Sequence, residues 1–292
     1  MKWRRGVGGG QIEDRRGMGG GRGMGIPIGV GGGGVGLVVL IAIVVLNALS
    51  GGGGGGASID PRLDPFPQAA PATGTRQGPD PDATLKDFVG FVVDDVQKHW
   101  QQEFQRAGKT YQPTTLVLFT GGTTTGCGAA SSATGPFYCP ADLKVYLDLD
   151  FFRDLRSRFG APGDFAQAYV IAHEFGHHVQ KVTGISDEVR SAQQRSPDES
   201  NDLSVRLELQ ADCFAGVWGH TAYAQGQLEP GDIEEGLGAA AAVGDDRLQR
   251  AATGEIDRES WTHGSSEQRT KWFRKGFDTG DPNTCDAFSG DI

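Results

Sequence analysis

The sequence predicts an α+β fold, mainly helical with a small sheet, preceded by one transmembrane helix. Three observations predict it: one long charge-free apolar run near the N-terminus, repeated helical periods of apolar residues from about residue 83 onward, and two short β-rich stretches among them. The chain has 292 residues and 47 glycines. The glycines pile up in the first 56 residues, so the N-terminal fifth and the remainder read as different materials.

Residues 1–25 read as a basic, glycine-rich cytoplasmic tail with too few apolar groups to fold. Residues 26–49 carry no charge, and their dense part runs from Val35 to Leu49. A membrane-spanning helix needs roughly 20 apolar residues, which this run supplies when its glycine-rich approach is included. Asn47-Ala48-Leu49-Ser50, followed by glycines, is a poor signal-peptide cleavage site, which favours a retained span. Lys2, Arg4, Arg5, Arg15, Arg16 and Arg22 precede the run against only Glu13 and Asp14. That excess places the N-terminus in the cytoplasm and the body outside, as a single-pass protein of the cell membrane. Residues 50–82 are rich in glycine, then in proline, and read as a linker.

The body, residues 83–292, is globular in composition. Leu85, Phe88, Val89, Val92, Val93, Val96 and Trp100 fall at helical spacing, predicting a helix to about Arg106. Thr114 to Thr120 is β-rich, a loop with Cys127 and Cys139 follows, and Lys144 to Leu149 alternates as a strand does. Phe151 to Phe159 reads as a short helix. Asp164 is a capping residue for a helix to about Val182, stopped by Gly184. Ser200 or Asn201 caps the next helix, which runs past Trp218, and Gly231-Asp232 starts another. Ser265 and Gln268 have capping-box spacing ahead of a last helix with Trp272 and Phe273. Trp218, Trp261 and Trp272 read as core.

The net charge is −10, and the basic first 22 residues leave the rest more acidic still. An acidic body argues against nucleic-acid binding, which needs cations to displace phosphate counterions. All four cysteines follow the apolar run. An even set outside the cytoplasm reads as disulfides, and proximity favours Cys127–Cys139 with Cys213–Cys285.

The chemistry lies in His173-Glu174-Phe175-Gly176-His177. Four residues apart on a helix, His173 and His177 share a face one turn apart, which suits two imidazole ligands on one Zn²⁺. Glu174 is positioned as the base for an activated water, as in metalloproteases. His178 points elsewhere and reads as a surface or supporting residue. Zinc at a catalytic site needs a third protein ligand. Glu208-Leu-Gln-Ala-Asp212 supplies one on a later helix: Glu208 as ligand, with Asp212 on the same face to accept the free ring N–H of a ligand histidine. His263, next to Gly264 and just before a helix N-terminus, is the candidate donor to the oxyanion of an attacked carbonyl, with Tyr146 and Tyr169 as weaker rivals.

Gly163 to Gln180, with its His-Glu-Phe-Gly-His core, and Arg206-Leu-Glu-Leu-Gln-Ala-Asp-Cys213 resemble the neutral zinc metallopeptidases of bacteria, of the gluzincin type. Gln11-Ile-Glu-Asp-Arg-Arg-Gly17, Gly135-Pro-Phe-Tyr-Cys-Pro140 and Thr262-His-Gly-Ser-Ser-Glu-Gln-Arg269 are similar to other motifs of that family. The resemblance implies a zincin-like metallopeptidase domain, His173, His177 and Glu208 as ligands, and Glu174 as the catalytic residue. The expected partner is a peptide or protein substrate. Two alternatives share these residues: a non-catalytic zinc-binding protein of the cell envelope, and a zinc amidase acting on cell-wall peptide.

Overall fold

The apolar residues spaced helically after Ala83 do form a helix, α1 (Ala83–Arg106), in the computed structural model, which describes residues 1–4, 10–17 and 79–292. Its buried face carries Phe88, Val89, Val92, Val93, Val96 and Trp100. The predicted span at 26–49 and the linker as far as residue 78 lie outside the described residues. Among the described residues, no helix is long and apolar enough to cross a membrane.

Five further helices follow the predicted pattern: α2 (Asp150–Ser157), α3 (Asp164–Val182), α5 (Ser200–Ala224), α6 (Asp232–Ala242) and α8 (Ser266–Thr279). Two more, α4 (Ile185–Arg195) and α7 (Asp245–Thr253), were not legible in the sequence. Both are largely polar, with few buried residues, so they carry little apolar periodicity. The capping box forms at α8: the Ser265 side chain accepts from the Gln268 N–H, and the Gln268 side chain accepts from the Ser265 N–H. Asp164 departs from its predicted capping role. Gly163 is the N-cap of α3, and Glu235 accepts the Phe165 N–H instead.

The main sheet has the order β1-β2-β6-β5, with β1 (Ile12–Asp14), β2 (Thr115–Phe119), β6 (Lys144–Asp148) and β5 (Phe137–Cys139). β1, β2 and β6 run parallel and β5 runs antiparallel to β6. Four of the five residues in each of β2 and β6 are buried, as befits parallel strands covered on both faces. The loop predicted around Cys127 contains a hairpin, β3 (Gly122–Thr125) with β4 (Gly128–Ser131). Cys127–Cys139 ties that hairpin to β5, and Cys213–Cys285 ties α5 to the C-terminal segment. Both favoured pairings form, and such crosslinks persist in oxidising compartments.

Part of the stretch expected to be an unfolded cytoplasmic tail belongs to this body. Ile12–Asp14 pairs with Leu116–Leu118, Trp3 packs edge-on against Phe88, and the Met1 ammonium lies 2.7 Å from Asp164. Apolar content was a poor guide here because main-chain hydrogen bonds and ion pairs hold the segment.

Helix α3 packs against α1, α5 and α6, while α5 lies along α8 at very close range. A Cβ at Gly276 would stand 1.9 Å from the Cys213 carbonyl oxygen, and one at Gly216 would stand 2.0 Å from that of Phe273. These two glycines set the α5–α8 separation. We expect Gly276→Ala to destabilise the fold by about 1–3 kcal/mol or more. Gly238→Ala, on α6 with open space around it, should instead stabilise by about 0.5–1 kcal/mol. Thermal denaturation of the two variants beside the parent measures both.

Candidate metal centre

Helix α3 is buried on nearly every side, and its motif glycine faces α5: a Cβ at Gly176 would lie 3.1 Å from the Ala211 backbone. That approach brings Glu208 and Asp212 of α5 up to the two histidines. Glu208 Oε2 lies 3.2 Å from His173 Nε2, and Oε1 lies 3.3 Å from His177 Nε2. The rings stand nearly perpendicular, with centroids 4.8 Å apart.

The outward ring nitrogens are both occupied. His173 Nδ1 donates to Asp212 Oδ1 at 2.9 Å, and His177 Nδ1 donates to Gln180 Oε1 at 2.9 Å. Gln180, fully buried, is itself held by donating to the Leu207 carbonyl and to Gln210. Each imidazole therefore keeps a proton on Nδ1 for its outer partner and turns Nε2 inward.

The donor set fits zinc. Two imidazole nitrogens and one carboxylate converge, and His173, His177 and Glu208 form a metal-competent group among the described residues. One ligand atom from each of the three lies within 4.8 Å of the others, close enough to share one metal ion. A catalytic zinc site keeps its fourth position for water. The electrostatics also call for a cation. Burial opposes charging of His173, yet the Asp212 and Glu208 carboxylates prevail and push its pKa up to about 10. Burial would raise Glu208, but the two imidazoles hold its carboxyl well below the usual range. Glu174 is buried beside this group, and burial raises its pKa.

Asp212 is the hub behind the site. It is fully buried; its Oδ1 also accepts from the Tyr169 hydroxyl at 2.5 Å, and Arg269 of α8 donates to both its oxygens at 2.7 and 2.9 Å. Arg269 also approaches Glu208 Oε2 at 3.7 Å. Arg269 ends the Thr262–Arg269 motif, in which the sequence alone assigns it no separate role. A signal was present: Arg269, Trp272, Phe273 and Gly276 share the buried face of α8, and a buried arginine there needs a carboxylate.

His263 is buried, and its Nδ1 faces Asp245 Oδ1 at 3.1 Å. Asp245 is pinned in turn, because its Oδ2 accepts the N–H groups of Thr262, His263 and Gly264. The rival tyrosines are committed elsewhere. Tyr169 serves Asp212, and the Tyr146 hydroxyl donates to Asp142 at 2.6 Å. His178 is fully buried, not a surface residue: Nε2 donates to the Gln112 carbonyl and Nδ1 accepts from the Tyr138 hydroxyl, joining α3 to β5. Trp218 and Trp272 are core, whereas Trp261 is only half-buried beneath Arg258.

An α+β domain in which a His-Glu-x-x-His helix meets a glutamate from the next long helix defines a zinc metallopeptidase type of protein. The chain belongs to the family described as "Putative neutral zinc metallopeptidase", whose model matches residues 1–288, and zinc is the cofactor this family implies. It is 54% identical over 215 residues to the uncharacterized protein YpfJ of Escherichia coli (strain K12), covering 73% of this chain and 75% of that one. It is 50% identical over 185 residues to the uncharacterized protein Rv2575 of Mycobacterium tuberculosis (strain ATCC 25618 / H37Rv), covering 60% and 62%. No solved structure matches.

Removing the support behind His173 should weaken metal binding without removing a ligand. Arg269→Gln is expected to lower zinc affinity about 10–100-fold, and Glu208→Ala to lower it further. Competition with a chromophoric chelator measures both.

Proposed function

We propose that this protein is an extracytoplasmic zinc peptidase, with His173, His177 and Glu208 as zinc ligands and Glu174 as the base. The observation that carries this reading is the convergence of two oriented Nε2 atoms and one carboxylate, with a second carboxylate, Glu174, buried beside them. Bound zinc supplies Lewis acidity, which makes a water acidic enough to be deprotonated near neutral pH. Glu174 accepts that proton as the water attacks a peptide carbonyl, then returns it to the leaving amine. Burial favours this cycle, because a raised pKa makes Glu174 a stronger base than an exposed glutamate.

His263 is the donor to the developing oxyanion. The Asp245 contact at Nδ1 leaves Nε2 as the free ring nitrogen, and the three N–H groups on Asp245 keep the pair rigid. A substrate would lie along β5. β6 is flanked on both sides by β2 and β5, so it has no edge to offer. Among the described residues β5 is an outer strand that packs on α3, with an edge for an extended peptide. The charge-free residues 26–49 are proposed to hold the protein at the membrane, entering and leaving it on the same face.

Glu174→Gln should retain zinc and lose about 10²–10⁴-fold in turnover. His263→Ala should lose about 10²–10³-fold with zinc content unchanged. Mass spectrometry of an unbiased peptide library, incubated with parent, chelated and variant protein, reads out both. Full cleavage by Glu174→Gln would remove it as the base, and an inert zinc-loaded parent would favour a binding protein. Because the base must be ionised, activity should fall as pH drops through the raised Glu174 pKa. The acid limb therefore lies above the ordinary carboxylate range, about 4.3 for glutamate.

A further inference from the structure

We infer that residues 10–17 are a resident strand of the zinc domain and lie on the same side of any membrane as the metal site. The segment is seated by main chain and side chains together. β1 runs parallel to β2 with Ile12, Glu13 and Asp14 opposite Leu116, Val117 and Leu118. The Leu116 N–H donates to the Gln11 carbonyl at 2.9 Å, and the Arg15 N–H donates to the Leu118 carbonyl at 2.8 Å.

The four charged residues that follow Ile12 each meet a matching group of the body. Glu13 pairs with Lys144 at 2.7 Å, and Asp14 with Lys86 at 2.8 Å. Arg15 donates to the Thr124 carbonyl at 3.0 Å and lies over the Tyr146 ring. Arg16 pairs with Asp80 at 2.6 Å, its side chain only 4% exposed. Two anions followed by two cations therefore face two lysines, a carbonyl and an aspartate. A one-residue slip would turn each of these side chains to the opposite face of the sheet, away from its partner.

The body also needs the strand. β2 is buried over Leu116–Phe119, and without β1 its outer edge would be an open row of main-chain groups beside the core, the kind of edge native sheets cover. The strand is joined to the disulfide-tied hairpin as well. Lys144, the partner of Glu13, begins β6, and Tyr146 beneath Arg15 donates to Asp142. Asp142 accepts the Gly126 N–H in the hairpin that Cys127–Cys139 ties to β5.

The consequence is topological. A chain crossing the bilayer once between residues 17 and 79 would set about 30 Å of hydrocarbon between Glu13 and Lys144. Contacts at 2.6–2.8 Å exclude that separation. The excess of arginines that pointed to a cytoplasmic N-terminus is also reduced, since Arg15 and Arg16 are matched within the fold.

The test uses the full chain in membranes of expressing cells. All four native cysteines are in disulfides, so an Asp14→Cys, Lys86→Cys double variant carries the only free thiols. A specific protease site is inserted between residues 50 and 78. After treatment with a short bis-maleimide, denaturation and cleavage, the two fragments should migrate as one band at the mass of the intact chain. Either single variant should release two. Glu13→Cys with Lys144→Cys gives an independent pair should the first fail to fold. In parallel, a membrane-impermeant maleimide applied to intact cells should label the Asp14→Cys and Lys86→Cys single variants from the same side. Separate fragments from both double variants, or labelling of the two positions from opposite faces, would overturn the inference.

Discussion

The centre depends on one buried carboxylate. Asp212 is fully buried, and it ties three helices together by accepting from His173 and Tyr169 of α3 and from Arg269 of α8 while sitting on α5. A carboxylate in such a place is costly unless every lone pair is met, and here Oδ1 alone has three partners. The Asp212–Arg269 pair is therefore poor evidence of a stabilising device, since an apolar pair of similar volume is often as stable. Its value is orientation. Asp212 keeps the proton of His173 on Nδ1, so Nε2 is left to face the metal, and Arg269 keeps Asp212 ionised while leaning on Glu208. The glycine-mediated contacts of α5 with α3 and α8 serve the same end, because Asp212 reaches both partners only if the helix backbones nearly touch.

The legible part of the site was the part written along one helix at a time. His173 and His177, and likewise Glu208 and Asp212, are four residues apart, so helical geometry alone sets each pair on a shared face. Arg269 and Asp245 were not legible because their meaning lies between elements. Asp245 begins a helix with little apolar periodicity, and nothing in its neighbourhood marks it as the partner of His263. Gln180 is a similar case, since it looks like one more residue of α3 until α5 is packed beside it. The helical core from α1 to α8 was read well wherever an apolar stripe repeated, and less well where helices are short and polar.

The sheet shows the same boundary from another side. Its two central strands announced themselves through β-branched and apolar runs, whereas both outer strands were missed. β5 is three residues long, too short for alternation to register, and it is held by a disulfide and by the Tyr138–His178 contact. β1 is equally short and charged on two of its three positions. Outer strands meet solvent and charged partners, so their sequences obey pairing and not burial.

That difference explains why the N-terminal segment was read as a tail. Apolar content decides whether a segment can form a core of its own, and residues 10–17 have little of it. β1 forms no core; it completes one that already exists, and the ordering cost is met by ladder hydrogen bonds and by four charges with partners already fixed in the body. The same distinction bears on the charge of the N-terminal flank. Counting Arg15 and Arg16 as free cations treats them as part of an exposed flank, but the positive-inside rule applies to loops that stay unfolded beside the membrane. Arginines committed to Glu13, Asp14 and Asp80 within a folded sheet are a structural feature of the domain. The orientation of the chain is then governed by where the domain folds, and the disulfides that brace its hairpin and α5 indicate an oxidising side for that folding.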